Sequence, residues 1–292
     1  MARLLGQAVN PVLTSRLLEV RRQQELLTRS LLRGSALSVV GAEAGAGRTT
    51  VAALLASLLA EYGPTRVLAV DVDTRTPGLR QRLDASTGGS WHAVLAGFRL
   101  ERPRPDTPPV PASVGLGWVR QHLAHSDGPD VLSVAPQEAG RPLGAQQYAV
   151  AVTRLGRWYR AIVTDTPADL ATGVLPGVLR RADRIIVVGT ATQQGMTAML
   201  AYLKHLHATR PLTLPGLVRC VLVEPPGQAT LVYPYARQAL GLPLHVLPYD
   251  PALAEGRPPL WDALREVTRR AALRLAVEVT DGLQDSAIVR KQ

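Results

Sequence analysis

"GAEAGAGRTT", residues 41–50, stands between the apolar run ALSVVG (36–41) and the helical pattern TTVAALLASLLAEYG (49–63). Gly41, Gly45 and Gly47 let the backbone approach a ligand closely. The loop opens a helix, and the free N–H groups of a helix start attract phosphate oxygens. Thr49 is placed to offer its hydroxyl to Mg²⁺. The stretch thus has the rhythm of a phosphate-binding loop, except that Arg48 holds the place where such loops carry lysine. A second reading stays open. The stretch then serves only as a strand-to-helix turn with Thr49 as cap, which needs no ligand. In that case Glu43 could pair with Arg48 and fill the phosphate pocket with protein charge.

Strand and helix patterns alternate on either side of the loop. RVLAVD (66–71), VLSVA (131–135), AIVTD (161–165), RIIVVG (184–189), VRCVLV (218–223) and LHVLP (244–248) read as further strands. Helical stretches separate most of them, near 143–159, 171–182, 194–208, 230–240 and 258–280. Continuously apolar strands imply burial on both faces. Strand–helix–strand alternation implies a doubly wound, mostly parallel sheet of seven or eight strands with helices on both sides. Ligands of such sheets sit beyond the carboxyl ends of the strands. Three stretches meet there: loop 41–50, DVD (71–73) and TDTPAD (164–169). Asp73 is placed to orient a water at a terminal phosphate, and Asp165 to serve in the shell of a bound metal.

A chain of 292 residues, 46% hydrophobic, suits one large α/β core. The single cysteine, Cys220, excludes a disulfide within one chain and sits in a strand pattern, where a buried apolar role is expected. No apolar run reaches the length of a membrane span, and the opening MARLLGQAVN lacks the apolar region of a signal peptide, so a cytoplasmic location is expected. The net charge of +10 rests almost wholly on arginine, since Lys204 and Lys291 are the only lysines. Either an anionic partner or a composition bias explains it.

Ser15 to Arg33 reads as an amphipathic helix, with Leu17, Val20, Leu27 and Leu31 on one face and Arg16, Arg21, Arg22, Arg29 and Arg33 on the other. That basic face is either solvated or a contact surface for a partner. The division expected is an N-terminal helical extension (1–34), a main domain (35–280) and a flexible tail (281–292). The proline-rich stretch 100–117 should exclude helix and form a surface loop. Trp261, Leu264, Ala271, Leu275 and Val279 mark one face of the last helix. Tyr233 and Tyr235 read as packing residues, and His205 and His207, two apart on a helix, do not make a metal pair.

The loop, the two aspartate-ended strands and their order resemble the MinD/ParA-like ATPases with a deviant Walker A loop, within the SIMIBI class of P-loop NTPases. Their loop, roughly KGGxGKTT, lies on EAGAGRTT (43–50). VLAVDVDTRTPGL (67–79) resembles their first switch segment, and YRAIVTDTPADL (159–170) their second. The likeness spans roughly 35–280 and is nearest to members associated with type VII secretion, on LPYDPALAEGRPPLWDALREVTRRAALRLAVEVTDGL (247–283) and GTATQQG (189–195). The resemblance implies an ATP site formed by Gly45, Ala46, Gly47, Arg48, Thr49 and Thr50, with Mg²⁺ at Thr49 and Asp165 and with Asp73 positioning water.

Three positions depart from the family. Its signature lysine, which reaches the partner subunit's phosphates in a nucleotide sandwich dimer, is here Glu43, and its P-loop lysine is Arg48. Its adenine-reading asparagine corresponds to Glu224 in VEPPG. Weak or absent ATP binding and hydrolysis are therefore expected. The function this implies is assembly, positioning or regulation of a larger machine, for which the resemblance points to type VII secretion, through protein partners as a homodimer or hetero-oligomer. The alternative is a partition-type ATPase that binds DNA non-specifically through its arginines. Membrane contact is not expected, because the tail has no strong amphipathic pattern.

Overall fold

The computed structural model describes residues 11–30, 34–41, 43–63, 66–101, 113–209, 214–227, 233–256, 258 and 261–283. The first ten residues, Leu31, Arg33, most of the proline-rich stretch and the tail beyond 283 lie outside the described residues.

The strands are β1 (Ser35–Val40), β2 (Val67–Asp71), β3 (Ala124–His125), β4 (Asp130–Leu132), β5 (Ala161–Asp165), β6 (Arg184–Thr190), β7 (Val218–Val223) and β8 (Leu244–Leu247). They form an eight-stranded sheet in the order β3-β4-β2-β5-β1-β6-β7-β8. Every pairing is parallel except β3 with β4. The helices are α1 (Pro11–Ser30), α2 (Arg48–Tyr62), α3 (Leu79–Arg82), α4 (Trp91–Gly97), α5 (Leu116–Arg120), α6 (Ala145–Leu155), α7 (Leu175–Arg181), α8 (Gln193–Thr209), α9 (Leu214–Leu217), α10 (Tyr233–Leu240), α11 (Pro251–Ala254) and α12 (Glu266–Thr280).

Period-two alternation delivers each central strand to two cores. Leu37, Val39, Ala69, Val163 and Ile186 face α2 and α12. On the other face, Leu68, Val70 and Ile162 meet α4 and α6, while Ile185 and Val187 meet α8. Helix α2 is buried along most of its length, from Val51 to Leu59, because it lies between the sheet and the layer of α1 and α12. A helix apolar all round belongs in such a place. Each of its buried leucines contributes about 1.5–3 kcal/mol. Leu27 of α1 joins this core with full burial, while Arg21, Arg22 and Arg29 face solvent.

Several expectations need adjustment. The strand expected over 131–135 ends at Leu132, before a 3-10 turn begins at Pro136. The last helical stretch divides into a 3-10 turn, Trp261–Ala263, and α12. Leu264, Ala271, Leu275 and Val279 are buried, and Trp261 packs edge-on against Tyr62 at 5.8 Å. Helix α5 begins inside the stretch expected to exclude helix; the prolines stop at Pro111, and Gly115 caps a helix that none of them interrupts. Tyr235 is 66% exposed and so does not pack, because α10 turns it outward, whereas Tyr233 is half-buried. Cys220 is buried in β7, and burial raises its thiol pKa to about 12. Among the described residues, no helix is long and apolar enough to cross a membrane.

Candidate nucleotide site

Strands β1, β2 and β5 end side by side, and three loops leave their carboxyl ends. Gly41 leaves β1 so close to β6 that a Cβ there would lie 2.3 Å from the Val188 carbonyl oxygen. Gly45 and Gly47 take positive φ, 76° and 88°, and so curl the chain into a cradle that opens α2. Gly47 is the N-cap of α2, with no side-chain cap. The expected capping role of Thr49 is thus replaced by another. Its hydroxyl instead lies near the Asp165 carboxylate, whose raised pKa it moderates.

Arg48 points back into the loop. Its Nη1 donates to the carbonyls of Gly41 at 2.7 Å and Glu43 at 3.1 Å. Burial lowers its pKa, partly offset by the nearby Asp165 charge. The Glu43 carboxylate does not pair with Arg48. It turns to the end of β6, where Thr190 donates its hydroxyl at 2.9 Å and its backbone N–H at 3.3 Å. Backbone geometry decides this, since Arg48 reaches the Glu43 carbonyl while the side chain swings the other way.

Asp71 and Asp165 are register partners across β2 and β5, and both are buried. Burial raises both carboxyl pKa values well above the usual range. The neighbouring Asp165 charge adds to the shift at Asp71, while Thr49 and Arg48 moderate that at Asp165. Asp71 accepts from the backbone N–H of Asp73 and of Leu79, each at 3.0 Å, and so ties β2 to the loop that follows it. Asp73 accepts from the Arg75 and Thr76 amides and from the Thr76 hydroxyl, at 2.8–3.0 Å. The carboxylate expected to orient water thus also shapes its own loop. Asp165 Oδ1 is buried without a hydrogen-bond partner. That oxygen beside the Thr49 hydroxyl suits the shell of a hard divalent cation.

Two cavities adjoin across Gly45 and Arg48. One, of about 580 Å³, is bounded by Asp73, Thr76, Pro142 and Asp169. The other, of about 620 Å³, runs from Gly45–Thr50 to Glu224, Pro225 and Tyr249. Ala46 and Thr50 line this second cavity. Glu224 lies at its far end, accepting from the Tyr233 hydroxyl at 2.5 Å and the Tyr249 amide at 3.3 Å. A glycine cradle at a helix start, a cavity of this size and a carboxylate–hydroxyl pair together fit a nucleotide with its metal.

Searches of known structures place this geometry. MinD of Pyrococcus furiosus aligns with a TM-score of 0.65 and 22% identity, over 84% of this chain and 98% of that one. The fold is that of the MinD/ParA P-loop ATPases. MinD of Pyrococcus horikoshii, complexed with Mg-ADP, gives a TM-score of 0.65 at 23% identity, over 86% of this chain and 97% of that one. A ParA family ATPase from Chlorobium tepidum gives 0.66 at 17% identity, over 85% and 98%. No protein-family model matches the chain. In sequence, the chain is 26% identical over 262 residues to the ESX-1 secretion-associated protein EspI of Mycobacterium tuberculosis. That match covers 86% of this chain but only 37% of the relative's length.

Sequence reasoning missed three members of this candidate site. Asp71 was visible in DVD, but its burial depends on β5 lying beside β2. Thr190 was visible in GTATQQG, yet its bond to Glu43 spans 147 residues. Arg82 carried no local signal. It lines the larger cavity, donating to the Thr50 hydroxyl at 2.6 Å and to the Leu253 carbonyl.

Proposed function

We propose that this chain is a MinD/ParA-like P-loop protein with a degenerate ATP site that serves as an assembly, positioning or regulatory partner of a larger machine, in type VII secretion. The observation that carries the reading is the charge at the loop. Where the family keeps two lysines, a carboxylate is bonded to Thr190 and a guanidinium is bonded to loop carbonyls. Two unit charges 4 Å apart interact by about 4 kcal/mol at an effective dielectric near 20, so exchanging lysine for glutamate weakens triphosphate binding. The likeness to EspI, named as secretion-associated, supports the choice of machine. Protein partners, within a homodimer or a hetero-oligomer, carry the function.

Calorimetry with Mg-ATP should give a dissociation constant above roughly 100 µM, and phosphate release should stay at background. Low-micromolar binding together with release abolished by Asp73→Ala would overturn the reading.

DNA partition is the competing function. The exposed Arg21, Arg22 and Arg29 of α1 are interspersed with Glu19 and Glu25, which dilutes the basic face. Fluorescence anisotropy on a random duplex should show weak binding at about 150 mM salt, since phosphate neutralisation is salt-sensitive. Submicromolar binding lost on Arg21→Glu with Arg22→Glu would favour partition instead.

A further inference from the structure

Arg82 is a buried cation with no anion beside it among the described residues. Its residue is 8% exposed, and its Nε is buried without a hydrogen-bond partner. Its guanidinium donates only to neutral oxygens, the Thr50 hydroxyl and the Leu253 carbonyl. Among the described residues no carboxylate pairs with it, and burial alone lowers its pKa. A charge removed from water in this way is costly unless something compensates it.

The two carboxylates among the residues lining the same cavity are already committed elsewhere. Glu224 accepts from Tyr233 and Tyr249, and Asp250 accepts from the Ala252 and Arg265 amides at 3.0 and 2.9 Å. Asp250 also caps α11, the helix whose Leu253 carbonyl holds Arg82. Nη1 of Arg82 faces Gly256, where a Cβ would stand 3.5 Å away. The cavity lining therefore presents Arg82 beside the first turn of α2, at Thr50, the third residue of that helix.

The geometry points to Arg82 as the anchor for the nucleoside-proximal phosphate of a nucleotide bound in this cavity. Its planar fork suits a phosphate oxygen better than an ammonium would. The inference rests on the reading of loop 41–50 as a nucleotide site. The cavity carries the phosphate nearest Thr50 against Arg82 and the nucleoside toward Pro225 and Tyr249. A third phosphate would extend into the neighbouring cavity, which is lined by Arg48 and Arg75 as well as by Asp73 and Asp169 and has Asp165 nearby. Glu43 supplies no cation there. Arg82 thus acts on the first phosphate, which ADP and ATP share.

The test is titration calorimetry of the full chain with Mg-ADP, Mg-ATP and inorganic pyrophosphate, using wild type, Arg82→Met and Arg82→Lys. Wild type should bind ADP at least tenfold more tightly than pyrophosphate, which lacks the nucleoside. Arg82→Met should weaken ADP at least tenfold, and Arg82→Lys should recover part of the loss. The proposal is overturned if wild type shows no heat with ADP up to millimolar concentration, if Arg82→Met binds ADP as wild type does, or if pyrophosphate binds as tightly as ADP. Arg82 also holds Leu253, so a second measurement is needed should Arg82→Met fail to fold. Hydrogen exchange on wild type then decides. ADP should slow exchange of the Leu79–Leu83 amides, and unchanged exchange there overturns the anchor. Phosphate release from ATP by wild type would sink the degenerate-site reading while leaving Arg82 as the anchor.

Discussion

Glu43→Lys combined with Arg48→Lys is expected to tighten Mg-ATP binding about a hundredfold, close to 2.8 kcal/mol, and by more than either change alone. The first substitution replaces a carboxylate by an ammonium. It also frees Thr190, whose hydroxyl and amide now hold Glu43. The second replaces a guanidinium tied to the Gly41 and Glu43 carbonyls by a compact charge on a flexible stem. Both groups act on the same phosphates, so their effects should not simply add. Glu43 is half-buried, and solvent screening reduces the full Coulomb figure of about 4 kcal/mol. Calorimetry on the four proteins is the measurement. A double variant that binds ATP no better than wild type would place the defect elsewhere in the cavity, with Glu224 the first suspect.

Asp165→Asn should raise the melting temperature at pH 8 and leave it nearly unchanged at pH 4. Burial holds the Asp165 and Asp71 carboxyls above the usual range. A carboxyl whose folded pKa is raised binds more protons in the native state than in the unfolded chain. Its contribution to stability is present below the ordinary carboxylate pKa, near 4, and is lost as pH rises toward the raised value. At pH 8 the wild type carries buried charge that asparagine removes. The expected gain is on the order of 1–2 kcal/mol, or roughly 3–6 °C. Millimolar Mg²⁺ should raise the wild-type melting temperature and have less effect on the variant, because the Asp165 carboxylate and the Thr49 hydroxyl suit the metal's shell. Equal or lower melting of Asp165→Asn at pH 8 would count against the pair as a store of electrostatic strain.

The sheet was legible because its signals are local. Apolar runs such as AIVTD and RIIVVG become β5 and β6 with small boundary changes, since strand burial depends on the residues within each run. Short helices such as α3 and α11 were not legible. Four residues cannot establish a periodic pattern, and they form only where the loops around the site are packed.

What the sequence alone determined is the covalent set at the candidate site: a cradle of glycines at 41, 45 and 47, a hydroxyl at 49, carboxylates at 71, 73 and 165, and a glutamate at 43 with an arginine at 48. These follow from residue identity and short spacing, because a glycine-rich turn between a strand and a helix constrains its own conformation. Only the tertiary structure decided which charge meets which. It sent Glu43 to Thr190 on β6, buried Asp71 against Asp165, and carried Arg82 from α3 to Thr50 and the Leu253 carbonyl. Those partners lie 147, 94, 32 and 171 residues apart in the chain. Electrostatic interactions depend on distance in space and on exclusion of water, and neither is set until the sheet order and helix layers are in place.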